Sequence, residues 1–148
     1  MNVSATIQIA QSSDLSRVIA AYETWGYRRG VAPGDTVWMA EAEGELIGVV
    51  RIAPENGTLV LRGMRIAEPW RRQGIGSAML RVLEARLGKR ECFCVPYSHL
   101  IEFYGQIGFV EMTASAAPAF LADRLAEYKR SGLDVTIMKR CTANGAGV

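Results

Sequence analysis

Two tight turns constrain the fold of this chain more than any other feature. Glu43-Gly44 and Asn56-Gly57 separate three runs rich in β-forming residues, at 36–41, 46–53 and 58–66. Asn-Gly is a strong hairpin signal because both residues tolerate a positive φ. The three runs are therefore predicted to form an antiparallel meander.

The hydrophobic pattern changes from strand-like to helical after Pro69. One helix face then carries the apolar residues Ile75, Met79, Val82, Leu83 and Leu87, and the helix is predicted to end at Gly88. Residues 91–95 are too few for another helix and are predicted to form a strand parallel to 58–66. This order is a β-α-β crossover.

The rest of the chain supplies strands and helices around this unit. Strands are predicted at 6–10, 109–112 and 134–139, and helices before Gly26, between Ser98 and Gly108, and from Pro118 to Gly132. The predicted fold is α+β, with a mixed, mostly antiparallel sheet of about seven strands flanked by helices and an extra helix before the last strand.

Composition excludes several classes of protein. The 148 residues suit one domain, and 17 basic against 15 acidic residues are interleaved along the chain, so no nucleic-acid partner is expected. No stretch reaches the roughly 18 apolar residues of a membrane span, and residues 1–10 lack the features of a secretion signal. We therefore expect no membrane association.

The three cysteines indicate where the protein works. Cys92, Cys94 and Cys141 are an odd number, which favours a reducing compartment, and the cytoplasm is the expected location. Cys92-x-Cys94 has poor zinc spacing, so no metal is expected.

The segment 71–77, Arg-Arg-Gln-Gly-Ile-Gly-Ser, lies between a predicted strand and a predicted helix. The first amides of a helix have no intrahelical partner, and the helix dipole favours an anion there. Gly74 and Gly76 would let a phosphate approach the backbone, and Arg71 and Arg72 add positive charge. The spacing fits neither a P-loop nor a dinucleotide fingerprint, which disfavours ATP or NAD as the ligand.

Two motifs resemble those of one known family. Arg71-x-x-Gly74-x-Gly76, after a strand that ends at Ile66, resembles the acyl-CoA-binding motif of the GNAT N-acetyltransferases. Residues 103–109, Phe-Tyr-Gly-Gln-Ile-Gly-Phe, resemble the late helix of that family. The resemblance implies a GNAT-like fold, with one acyltransferase domain over 1–141 and a flexible glycine-rich tail over 142–148.

The same resemblance implies where acetyl-CoA, the co-substrate, would bind. Its thioester would lie where the strands ending at Ile66 and Val95 splay apart, and Tyr104 would be the catalytic acid that protonates the departing thiolate. The strand around Met64 and Ile66 would pair with the pantetheine arm. The phosphate-binding residues would be Arg71, Arg72, Gln73, Gly74, Ile75, Gly76 and Ser77.

The implied function is transfer of an acetyl group to the primary amine of a small-molecule acceptor by direct attack. Relatives that use a carboxylate base place it in the strand before the glycine turn, yet residues 59–65 contain no acid. The base is left open among His99, Glu41, Glu55, Glu111 and none. The missing base also leaves open a non-catalytic, acyl-CoA-binding regulatory module.

Arginines favour an anionic, amino-acid-like acceptor. Arg28, Arg29, Arg62 and Arg65 all lie in segments that border the acceptor site of the family. Arg62 and Arg65 have opposite strand parity, so both face one site only if a bulge forms at Gly63. The insertion 114–132 is expected to pack on its own sheet, to cover the acceptor cleft, or to face a second subunit in a homodimer.

Overall fold

The computed structural model describes residues 4–27 and 30–140. Seven strands form one mixed sheet in the order β1-β2-β3-β4-β5-β7-β6. The strands are β1 (Thr6–Ile9), β2 (Thr36–Ala42), β3 (Glu45–Glu55), β4 (Thr58–Ile66), β5 (Cys92–Cys94), β6 (Phe109–Glu111) and β7 (Met138–Arg140). The α-helices are α1 (Leu15–Thr24), α2 (Ile75–Leu87), α3 (Ile101–Gly105) and α4 (Ala119–Arg130). The predicted α+β fold, with its extra helix before the last strand, is confirmed.

Both predicted hairpin turns form. Glu43 and Gly44 have φ of 54° and 77°, and Asn56 and Gly57 have φ of 52° and 74°. Two consecutive positive φ angles give the turn a twist that matches that of the flanking strands. As a result β2, β3 and β4 make the antiparallel meander, and β1 extends it by pairing with β2.

The helices cover both faces of the sheet. On one face α2 and α3 pack against the sheet, with Met79, Leu80 and Leu83 fully buried. On the other face α1 packs through Val18 and Tyr22, while α4 packs through Leu121 and Leu125. Strand alternation divides the side chains between the two faces, since Cys92 and Cys94 join the α2 cluster and Phe93 joins the α4 cluster.

The structure corrects the predictions near the C-terminal end. The last strand is Met138–Arg140, because residues 134–136 pair with the loop after β5 instead: the amide of Ser98 bonds to the Asp134 carbonyl and that of Thr136 to the Pro96 carbonyl. The Ser98 hydroxyl donates to the Asp134 carboxylate over 2.9 Å and does not cap the helical segment that follows. The helix predicted between Ser98 and Gly108 is a 3₁₀ turn followed by the short α3.

Some expectations fall outside the described residues. These are the flexible tail at 142–148 and the positions of Arg28, Arg29 and Cys141. Cys92 and Cys94 are free and buried. Within the described part of the chain, no helix is long and apolar enough to cross a membrane, and no three acidic, cysteine or histidine side chains group as metal ligands would.

Candidate active site

β4 and β5 separate in the middle of the sheet. The two parallel strands pair only at Val60 and Phe93, after which β5 ends at Cys94 while β4 continues to Ile66. Among the described residues, the last part of β4 therefore pairs on one side only, with β3. A cleft of about 150 Å³ opens at this point, and its lining includes Arg62, Met64, Arg65, Cys94, Tyr104 and Arg124.

A β-bulge at Gly63 brings two arginines into the cleft. The β3–β4 register shifts between Val49, opposite Arg65, and Arg51, opposite Arg62. Gly63 has φ of 68°, and a Cβ there would collide with the Tyr22 hydroxyl. The extra residue on β4 reverses the parity of the strand beyond it, so that Arg62 and Arg65 both line the cleft. The bulge at Gly63, which Arg62 and Arg65 need in order to face the same site, is confirmed.

A buried polar network holds the bulge in place. The Tyr22 hydroxyl donates to the Gly63 carbonyl over 2.8 Å. Arg51 is only 2% exposed, and its guanidinium bonds to Asp35 over 2.5 Å and to the Tyr27 hydroxyl over 2.7 Å. Burial outweighs the nearby Arg51 charge and raises the pKa of Tyr22. Sequence reasoning missed this network, although Arg51 was the signal: it is one charge within the apolar run 46–53.

The glycine turn presents unbonded backbone donors. None of the amides from Gln73 to Ser77 donates a hydrogen bond to a described residue, and the first helical bond at this end runs from the Ala78 amide to the Gly74 carbonyl over 3.0 Å. Gly74 has φ of 84°, which glycine adopts without strain. Such a row of amides at the start of the 13-residue α2 suits an anion.

The side chains of the glycine turn hydrogen-bond to its backbone or pack against the core. Arg71 bonds through Nε to the Ile66 carbonyl over 2.9 Å, and Gln73 bonds to the Pro69 carbonyl over 3.1 Å, so both brace the turn. Ile75 is buried and can offer a ligand only its amide. A Cβ on Gly76 would lie 3.0 Å from the Phe103 ring. Packing against α3 therefore favours a glycine at position 76, in addition to the predicted phosphate access.

Tyr104 reaches the cleft from α3. The side chain is 5% exposed, and its ring makes edge-to-face contacts with Phe103 and Phe109, at centroid distances of 5.0 and 6.1 Å. Burial, with the Cys94 thiol adding to it, raises the pKa of Tyr104 well above its ordinary value. The phenol therefore keeps its proton and is available as a donor in the cleft.

None of the four candidate bases lines the cleft. Glu41 is paired with Arg17 over 2.8 Å, and Glu111 accepts from the Thr136 hydroxyl over 2.7 Å. Glu55 is paired with two arginines. His99 is exposed and stacks on Tyr97 at 5.8 Å between ring centroids. A base among them would have to act through water.

The helix of the insertion joins the site. α4 packs on its own sheet, as expected by default, and it also covers part of the cleft, because Arg124 lines it. Arg124 Nη2 bonds to Glu55 over 2.7 Å, which ties α4 to the end of β3.

The chain matches the model of one protein family. A family model described as an acetyltransferase (GNAT) domain matches residues 33–111, more than half of the chain. The sequence matches none of the curated proteins with which it was compared.

Solved structures share the fold at low sequence identity. An acetyltransferase of the GNAT family from Staphylococcus aureus Mu50 superposes with a TM-score of 0.66 at 14% identity, over 93% of this chain and 99% of its own. The ribosomal-protein-S18-alanine N-acetyltransferase from Escherichia coli gives a TM-score of 0.65 at 18% identity, over 93% and 94%.

A third neighbour is larger. N-acetylglutamate synthase from Neisseria gonorrhoeae, complexed with coenzyme A and N-acetyl-glutamate, gives a TM-score of 0.66 at 16% identity over 95% of this chain. The chain spans only 36% of the length of that synthase. From the family match, the chain belongs to the GNAT acetyltransferase family and is an acyltransferase.

Proposed function

We propose that this acyltransferase transfers the acetyl group of acetyl-CoA to the primary amine of a small, anionic, amino-acid-like molecule. One observation carries the proposal. The unpaired edge of β4 runs from a turn with five unbonded amides to a cleft that contains Tyr104. That path joins an anion site to a proton donor, which is what an extended phosphate-bearing thioester requires.

Acetyl-CoA would follow this path. Its pyrophosphate would accept hydrogen bonds from the amides of Gln73, Gly74, Ile75, Gly76 and Ser77, with positive charge from Arg71 and the exposed Arg72. The pantetheine amides would pair with the open edge of β4 near Met64 and Ile66. The acetyl thioester would then lie in the cleft beside Tyr104.

The chemistry is direct attack. The amine nitrogen forms a bond to the thioester carbon, the C–S bond breaks as the tetrahedral intermediate collapses, and the nitrogen loses one proton to solvent. Tyr104 hydrogen-bonds the departing sulfur and gives it a proton, then recovers one from solvent. Burial raises the pKa of the Cys94 thiol, so it stays protonated and is unsuited to form an acyl-enzyme.

The acceptor has to enter as a neutral amine. No carboxylate or imidazole of the described residues lines the cleft, so deprotonation falls to water or to solvent beyond it. An amine with a pKa below that of lysine, about 10.4, meets this condition more easily at pH 7. The α-amino group of a peptide, at about 7.7–8.0, is of this kind, and the α-amine of a free amino acid is more basic because of its own carboxylate but still below lysine.

The extent of the domain, the location, the partners and the oligomeric state belong to the same proposal. The acyltransferase domain comprises residues 1–141, the two buried free thiols suit a reducing cytoplasm, and the protein acts on a small molecule without nucleic acid. A homodimer through the exposed part of α4 would be compatible with the exposure of Glu127 and Arg130.

Calorimetric titration with acetyl-CoA tests the proposal, with Ser77→Glu and Ser77→Gln as a matched pair. Ser77 is partly exposed in the first turn of α2, where either residue extends without entering the core. The glutamate would repel the pyrophosphate and is expected to weaken binding about tenfold or more, whereas the glutamine lacks the charge and should bind much closer to the unmodified protein. No binding by the unmodified protein would exclude the proposal.

A further inference from the structure

Three guanidinium groups line the acceptor end of the cleft, and no carboxylate of the described residues does. Arg62 and Arg65 come from β4, and Arg124 comes from α4. The described side chains that line the cleft therefore carry three positive charges and no negative one. A cleft of this sign attracts an anionic ligand and disfavours a cationic one.

One nearby carboxylate compensates only part of this charge. Glu55 accepts from Arg62 Nη1 over 2.8 Å and from Arg124 Nη2 over 2.7 Å. Burial opposes its ionisation, but the hydrogen bonds from the two arginines outweigh it and hold the pKa of Glu55 below its usual range. Glu55 is thus a fixed negative charge, and two positive charges remain in excess.

The excess resides on Arg65 and Arg124. Arg65 bonds only to the Met64 carbonyl, over 2.9 Å, and stacks on the Tyr27 ring at 4.7 Å, with no acidic partner among the described residues. Arg124 Nη1 is buried and makes no hydrogen bond to any residue that the structure describes. An unsatisfied buried donor is unfavourable, so a ligand that supplies an acceptor oxygen there gains affinity.

We propose that Arg65 and Arg124 together bind a carboxylate of the acceptor, so that α4 determines acceptor specificity jointly with β4. The planar fork of a guanidinium matches the two oxygens of a carboxylate, and the 150 Å³ cleft suits a small molecule. Glu55 accepts from Arg124 Nη2, whereas Nη1 has no acceptor among the described residues; because Nη1 is buried, a ligand carboxylate would reach it with a shift of the Arg124 side chain. This inference rests on the proposed acetyl transfer to a primary amine.

The test compares amino acids with the corresponding amino-acid amides as acceptors. Each pair has nearly the same shape. The acid adds one negative charge, which also raises the pKa of its amine, so kcat/KM is calculated on the concentration of neutral amine in each case. We expect kcat/KM to be about ten- to a hundredfold higher for the acids, because a charge-assisted hydrogen bond is lost in the amides. O-phosphoethanolamine and ethanolamine form a second pair, which shows whether a phosphate replaces the carboxylate.

Variants test whether the preference for acids depends on Arg65 and Arg124. Arg124→Met is expected to lower the acid-to-amide ratio of kcat/KM about tenfold or more, and Arg65→Met to do the same. Arg124→Lys keeps the charge but not the fork, so an intermediate ratio is expected. Arg130→Met is the matched control, because Arg130 lies on α4, is exposed and does not line the cleft. Its ratio should equal that of the unmodified protein.

The outcomes separate the two proposals. If acetyl-CoA binds but no amine of the panel is acetylated, the proposed function fails, and the inference fails with it. If the phosphate pair alone shows the preference, only the inference is wrong. If amines are acetylated at equal rates with and without a negative charge, the inference is wrong and so is the anionic character of the proposed acceptor, whereas acetyl transfer to a primary amine stands. The ratio of kcat/KM for amino acids to kcat/KM for their amides, measured on the unmodified protein, tests the inference even if Arg124→Met does not fold.

Discussion

The aromatic packing contacts of Tyr104 are made by its ring and not by its hydroxyl. Phe103 and Phe109 hold the ring by edge-to-face contacts, and a phenylalanine would keep both. The raised pKa of the hydroxyl means that its proton stays in place throughout the neutral range and beyond pH 10. Tyr104→Phe therefore removes a donor without disturbing the packing.

We predict that Tyr104→Phe lowers kcat about a hundredfold or more while the Kd for acetyl-CoA changes by less than about twofold. Steady-state kinetics and calorimetry measure the two quantities. Tyr97→Phe is the control, because Tyr97 also lines the cleft but is 38% exposed and keeps its ring on His99. A Tyr104 variant with normal turnover would show that another group protonates the thiolate.

At the scale of elements, the bulge of β4 decides which side chains reach the cleft. Gly63 combines a positive φ of 68° with close contact to Tyr22, so an alanine there is both strained and crowded. Gly44 has a similar φ of 77°, but nothing lies within 4 Å of a Cβ at that position. An alanine at Gly44 therefore introduces backbone strain alone, whereas an alanine at Gly63 introduces strain and a steric clash.

Gly63→Ala is predicted to lower the free energy of unfolding by about 2–5 kcal/mol, and Gly44→Ala by about 1–2 kcal/mol. Urea unfolding of both variants measures the difference. Equal losses would mean that the Tyr22 contact adds nothing and that the bulge tolerates a side chain.

At the scale of the whole molecule, Glu55 connects the β3 end to α4. Its ion pair with Arg124 joins segments 69 residues apart in sequence, and its ion pair with Arg62 joins β3 to β4. The pKa of Glu55 is lowered on folding, so its contribution to stability is complete above its unfolded pKa, near 4.5, and is lost as pH falls through the lower folded value.

We predict that Glu55→Gln lowers stability at neutral pH and that the gap to the unmodified protein narrows below about pH 4.5. The free energy of unfolding in urea between about pH 3 and 7 measures this gap. Glu84→Gln is the control, since Glu84 pairs with Arg81 over 3.3 Å on the surface with side chains 40% and 58% exposed, and it should change stability by less than about 0.5 kcal/mol. A gap that is constant with pH would contradict the prediction.

Local chemistry accounts for what sequence patterns predicted well. The turns at Glu43-Gly44 and Asn56-Gly57, the exact bounds of β4 and the helix Ile75–Leu87 all depend on residues close together in the chain. The motif around Gly74 predicted the turn that begins α2 for the same reason, and anion binding there stays a prediction. Predictions were poorer where short segments compete for partners, as at residues 134–136, which pair with the loop after β5 rather than extend β7.

The sequence by itself therefore determined the order of elements, the crossover and the segments that form the site. Only the tertiary structure decided that Gly63 forms a bulge, that Arg51 is buried with Asp35, that Arg124 reaches the cleft and that no candidate base does. The physical reason is the separation in sequence of the residues that interact. Turns and helices follow from neighbouring residues, whereas the burial of a charge and its partner depend on how distant segments pack.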